Sequence, residues 1–219
     1  MKKTLLSAIM VFIILALTGC GHDHNATPTI VTQILSDPAI DGYIAQDPIT
    51  LALTVTQPST QSVFAGIDPS SGTESRAFLD FPLIGANGVP GNAVIVSATL
   101  DIVLNNVFLQ VPTDTIPIRI ELVSFPGLTL VTNDFSRTLL PAIAFTTIVP
   151  PISLADAGTH VAVDVTSLMV QAQNLGLLDF QVRILEDLGA PFPGLIEIND
   201  TTDPTIREAL APLLTVEYF

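Results

Sequence analysis

Val94-Ile95-Val96-Ser97-Ala98-Thr99-Leu100-Asp101-Ile102-Val103-Leu104 is the stretch whose spacing decides the architecture. Val94, Val96, Ala98, Leu100, Ile102 and Leu104 alternate with a set containing Ser97, Thr99 and Asp101. Successive side chains of a strand point to opposite faces, so this period of two predicts one apolar and one solvated face.

The same alternation recurs outward in both directions. It runs through Ile49, Leu51, Leu53 and Val55, and through Ile116, Ile118, Ile120 and Leu122. It returns in Leu178, Phe180, Val182 and Ile184, and closes the chain in Leu214, Val216 and Tyr218. A buried face against a wet face is the signature of antiparallel sheets; parallel strands are apolar throughout. Turn residues separate the runs, at Asp68-Pro69-Ser70-Ser71-Gly72, at Gly85 to Gly91 and at Pro150-Pro151. Many short strands between such clusters predict an all-β fold, a jelly-roll-like antiparallel β-sandwich. One segment departs from period two. Val165, Leu168, Met169 and Ala172 fall at i, i+3, i+4 and i+7, which predicts one short helix over 166–174. Asp164 or Thr166 is placed to cap its start, and Asn174 or Gly176 to end it.

The amino-terminal end follows a different logic. Lys2 and Lys3 precede an apolar run from Leu5 to Leu17 interrupted only by Ser7, and Leu17-Thr18-Gly19-Cys20 follows. A run of this length suits a secretory signal, whereas a spanning helix needs about 20 apolar residues. Leu17 to Cys20 resembles the bacterial lipobox. The resemblance implies a signal peptide over 1–19, cleavage after Gly19 and diacylglycerol on the Cys20 thiol. Gly21 then points to the outer membrane or the cell surface. Residues 20–33, with His22, Asp23 and His24 among them, read as a lipidated cysteine and a polar tether, and 34–219 as one domain.

Cleavage would leave five arginines against 21 acidic residues, a formal charge of −16. Such a field repels phosphate backbones, so no nucleic-acid partner is expected. The chain has one cysteine and no tryptophan. A lipidated Cys20 leaves the domain without disulfides, dependent on its core alone.

Three stretches carry a further resemblance. They are Glu74-Ser75-Arg76-Ala77-Phe78-Leu79-Asp80-Phe81-Pro82-Leu83 followed by Val94 to Leu100, then Val163-Asp164-Val165-Thr166-Ser167-Leu168 with Asn174-Leu175-Gly176-Leu177-Leu178, then Arg207-Glu208 with Pro212 to Tyr218. In this order they resemble the DNRLRE-type β-sandwich domains of bacterial surface proteins, relatives of jelly-roll carbohydrate-binding modules. The resemblance covers residues 36–219 and implies a non-catalytic accessory domain. Tryptophan often follows the Val-Thr helix in such domains, and here Gln171 to Asn174 offers none. Arg76 and Glu208 are expected to pair across the fold.

Candidate site residues are acids. Asp37, Asp41 and Asp47 cluster near the domain start, Glu186 and Asp187 share one turn, and Asp200 and Asp203 another. Carboxylate-rich loops are where a calcium ion would bind, although no EF-hand spacing is present. His22-Asp23-His24 offers a weak clip for a transition metal. Catalysis is poorly supplied: His160 is alone in the domain, no Gly-x-Ser-x-Gly occurs, and the processed chain would lack lysine. The sequence therefore predicts a non-enzymatic surface lipoprotein, held to the membrane by lipid, with a polysaccharide or another surface protein as partner. A calcium-assisted carbohydrate-binding module is the alternative, and a jelly-roll glycan hydrolase or lyase the remoter one.

Overall fold

A computed structural model describes residues 28–57, 61–85, 88–125, 127, 129–187 and 193–219. The lipobox with Cys20, the preceding apolar run and His22-Asp23-His24 lie outside the described residues. Among the described residues, no helix is long and apolar enough to cross a membrane.

The chain is all-β, with every strand pairing antiparallel. Among the described residues twelve strands run in order: β1 Ile30–Leu35, β2 Gly42–Gln46, β3 Leu53–Thr56, β4 Ser62–Ile67, β5 Glu74–Pro82, β6 Ile95–Leu109, β7 Ile118–Val123, β8 Ala144–Thr147, β9 His160–Asp164, β10 Asp179–Glu186, β11 Gly194–Asn199 and β12 Leu213–Tyr218. Strand β1 thus takes in residues that read as tether. Helix α1 is Thr166–Asn174, and a single turn, α2, is Arg207–Leu210.

One layer runs β3-β2-β5-β10-β7-β8. The other is organised by the long strand β6. Its first half pairs with β12 and β9, with β1 beyond β12, and its second half pairs with β11, which continues to β4. Strand β4 also touches the start of β5, so the sheet curls round its core. Ala98, Leu100, Ile102 and Leu104 of β6 meet Ile118, Ile120 and Leu122 of β7 there, with Phe180, Val182 and Ile184 of β10. Helix α1 adds Leu168, Met169 and Ala172 to the same core. Asp164 accepts the Thr166 N–H and hydroxyl at its start. At its end Gly176 takes φ +65°. The Gly176 and Leu177 N–H groups return to the Gln173 and Ala172 carbonyls, a Schellman ending.

Three expectations are corrected. Val94 and Val96 are exposed, because a bulge between the Ser97–Glu217 and Ile95–Tyr218 pairs inserts Val96 and turns Ile95 towards the core. Ile49 and Leu51 are exposed in a turn. There Asp47 accepts the Ile49 and Thr50 N–H groups, and Leu51 sits at φ +58°, so the strand begins only at Leu53. Leu178 likewise lies exposed just ahead of β10.

The larger correction concerns the face that alternation leaves to solvent. Gln181 and Arg183 of β10 and Glu121 of β7 are buried there, beside Val123 and beside Arg76, Phe78 and Asp80 of β5. Phe125 and the segment 129–143 cover this second face. Phe125, Leu130 and Phe135 pack with Ile40, Ile44, Phe78 and Val123 into a second apolar cluster, where Phe78 and Phe125 meet edge to face at 5.8 Å.

Candidate functional site

Buried charges form two groups, the first of them under that cover. In the first, Arg183 is completely buried. Its Nε and Nη2 donate to Glu121 Oε2 at 2.9 and 2.6 Å, and its Nη1 and Nη2 donate to the Asp134 and Leu140 carbonyls. Glu121 Oε1 takes Arg137 Nη2 at 2.7 Å. Arg76 pairs with Glu74 at 2.6 Å, donates to the Phe135 carbonyl and lies 3.9 Å over the Phe135 ring. The expected Arg76–Glu208 pair is therefore not formed; Glu74, two residues away on the same strand, takes its place. Arg119 pairs with Asp187 at 2.6 Å, and Arg207 donates to the Ser36 carbonyl. Each of the five arginines is committed to the scaffold.

The second group is carboxylic. Asp41 and Asp200, read separately from the sequence, come together in full burial. Asp41 Oδ1 accepts the Asp80 N–H at 2.7 Å, while the Asp37 N–H donates to the Asp80 carbonyl at 2.8 Å. Burial, and then the charge of Asp200, push the Asp41 carboxyl well above its ordinary range. Asp80 is pushed up to about 6 by burial, against a 2.8 Å hydrogen bond from Gln181 Nε2. Glu186 is pushed up to about 7 by burial, although the Gly194 and Ile67 N–H groups favour its charged form.

The remaining acids named from the sequence serve their own turns or a single partner. Asp37 accepts the Ala39 N–H, Asp47 the Ile49 and Thr50 N–H groups, and Asp203 the Thr205 N–H and hydroxyl. Asp187 faces Arg119. Among the described residues, no three His, Cys, Asp or Glu side chains converge as metal ligands. Calcium takes six to eight oxygens, so the Asp41–Asp200 meeting supplies a minority of a shell.

Asp41, Asp80 and Glu186 share a consequence. A carboxyl whose value is raised by folding holds its proton more tightly in the folded chain. Stability is then fullest below the unfolded carboxylate range near pH 4 and is lost as pH rises, through about 6 for Asp80 and about 7 for Glu186. The exposed Asp47, Asp164 and Asp203 and the half-buried Asp68 shift the opposite way, lowered by hydrogen bonds, and act only below that range. Melting temperature is therefore expected to fall from pH 5 to pH 8. Asp80→Asn keeps an acceptor for Gln181 Nε2 while removing the carboxyl that folding pushes up to about 6. It should raise the midpoint at pH 8 by about 3–6 °C, on the order of 1–2 kcal/mol, and flatten the slope. Calorimetry across that range checks this, and an unchanged slope contradicts it.

The concavities are shallow in chemistry. One, of 680 Å³, lies between β1 and the end of β5, and Glu208 is its one described titratable side chain. Another, of 480 Å³, lies between the free edges of β8 and β9 and is lined by Thr146, Thr147, Thr166, Ser167 and Asp164. The Asp164 carboxylate there is already held by Thr166. Glycoside hydrolysis uses two facing carboxyl groups, about 5 to 9.5 Å apart. Among the described residues, each of these hollows presents one. His160 is exposed, with Nδ1 2.8 Å from Asp101 Oδ2. Both tyrosines turn inward: Tyr43 sits edge to face with Phe64 at 5.2 Å, and Tyr218 is buried.

Comparison with protein-family models and with curated proteins finds no match to this chain.

The sequence singled out neither Arg183 nor Glu121. Both are polar residues in an alternating strand, and alternation alone assigns them to solvent.

Proposed function

We propose that the chain is a non-catalytic lipoprotein of the bacterial envelope, a β-sandwich module held at the outer membrane or cell surface through lipid on Cys20. Its role there is structural or adhesive. The observation that carries this reading is the commitment of all five arginines to internal partners. A chain lacking lysine after processing, with each arginine holding a loop or strand in place, has no lysine or arginine among the described residues left over to stabilise a developing oxyanion or a phosphate. The hollows with one carboxyl each agree with it.

The residues that resemble DNRLRE-type domains also support a scaffold role. Ala77, Leu79 and Phe81 enter the core, Asp164 starts α1, and Leu214, Val216 and Tyr218 are buried. A sugar platform built by aromatic stacking is disfavoured by the missing tryptophan and the inward tyrosines.

Lipid attachment is tested by growing cells with labelled palmitate and partitioning the extract in a cloud-point detergent. The chain is expected in the detergent phase, carrying label. An unlabelled chain in the aqueous phase contradicts the proposal, because several acyl chains at about 0.8 kcal/mol per buried CH₂ cannot stay in water.

A further inference from the structure

Six exposed apolar residues from distant parts of the sequence gather at one end of the sandwich. Ile30 opens β1 opposite Tyr218, and Tyr218 faces Ile95 across β12 and β6. Val94 and Phe219 exchange both backbone hydrogen bonds, at 2.8 and 3.1 Å. Gln173 Nε2 donates to the Ala93 and Pro90 carbonyls, which fastens the end of α1 beside Val94. From there the chain passes through Leu175 to Leu178, whose carbonyl accepts the Leu83 N–H at 2.9 Å, next to Ile84. Ile30, Val94, Phe219, Leu175, Leu178 and Ile84 are each 48 to 62 % exposed. Large apolar side chains gathered at one end of a domain usually mark a contact surface.

The chain itself indicates what covers them. Ile30 is ten residues from Cys20, a span of at most about 35 Å. Every lipidated molecule therefore holds this end close to the bilayer, at a local concentration no diffusing partner matches.

We infer that this end of the sandwich lies against the lipid surface that holds Cys20, with Ile30, Ile84, Val94, Leu175, Leu178 and Phe219 entering the headgroup region. The inference rests on the lipid anchor proposed above. Apolar burial drives the contact. The six residues carry no charge, and a domain of −16 is repelled by anionic headgroups, so docking should be firmest on zwitterionic lipid. The opposite end provides a control. Ile49 follows Gln46, which pairs with Glu74 at the start of β5, whereas Ile84 follows the far end of that strand at Pro82. Ile49 is exposed too, but points away from the anchor.

The test uses the full lipidated chain on phosphatidylcholine vesicles containing a headgroup spin-labelled lipid. Leu178→Cys and Ile49→Cys each introduce one free thiol, since Cys20 is acylated, and each is labelled with an environment-sensitive fluorophore. At position 178 a blue shift and about twofold quenching are expected, and at position 49 neither. If the mass confirms the lipid and position 178 behaves like position 49, the docking is wrong and the anchor stands. A blue shift without quenching that fades on dilution assigns the surface to a second copy and also overturns the docking. An unlipidated Cys20 removes the proposed function, and this inference with it.

Discussion

An Arg183→Met chain is expected to melt roughly 10 °C below the parent, a loss of about 3 kcal/mol. Methionine fills a similar volume, so the penalty is electrostatic. Glu121 stays buried with Oε2 stripped of both its Arg183 bonds, and the Asp134 and Leu140 carbonyls lose their donor. Arg137 remains 2.7 Å from Oε1, which keeps the figure at the lower end of the range for breaking a buried pair. The segment 129–143 should loosen first, because two of its carbonyls are held by Arg183 and a third by Arg76. Hydrogen exchange would place the loss there. Adding Glu121→Gln to Arg183→Met should recover most of the midpoint, since the unpaired charge is then gone. A single variant within about 1 kcal/mol of the parent would mean that the pair contributes little and the apolar cluster alone holds the cover.

Gly66→Ala should cost more, roughly 4 kcal/mol, from two causes acting together. Gly66 sits at φ +116°, a conformation that L side chains rarely adopt, and a Cβ there would fall inside the contact radius of the Gly194 carbonyl oxygen. Backbone on both sides prevents escape: Gly66 pairs with Leu195 of β11 and with Ser75 of β5, at the point where the two layers join. Gly85→Ala separates the two causes. Gly85 also has a positive φ, of +102°, but an added Cβ there meets nothing within 4 Å, so only the conformational part, about 1–3 kcal/mol, should be lost. Urea melts of the two variants check the difference, and equal losses would refute the steric account.

Strand character and the helix were legible because they rest on local periodicity. Ala98 to Leu104, Ile116 to Leu122 and the Leu168-Met169-Ala172 face all point where their spacing directs. What escaped was non-local. A polar residue in an alternating strand reads as solvent-facing whether or not a remote segment covers it, and residues 129–143 carry no periodic signal of their own. Alternation therefore assigns Arg183, Glu121 and Gln181 to water, and all three are buried. The bulge at Val96 and the Asp47 turn reversed the facing of Val94, Val96, Ile49 and Leu51 by local geometry that composition does not encode. Of the acidic candidates, Asp41 and Asp200 were named from separate loops. Their meeting depends on β1 and β11 closing on the same region, which no local pattern states.

Attachment to the membrane depends on what happens at Cys20. The mass of the native chain, released from membranes and measured intact with its amino-terminal peptide, tests this most directly. The reading predicts a chain beginning at Cys20, heavier than its residues by a diacylglycerol with or without a further acyl group. A free thiol at Cys20, or an amino terminus at any other residue, would contradict it.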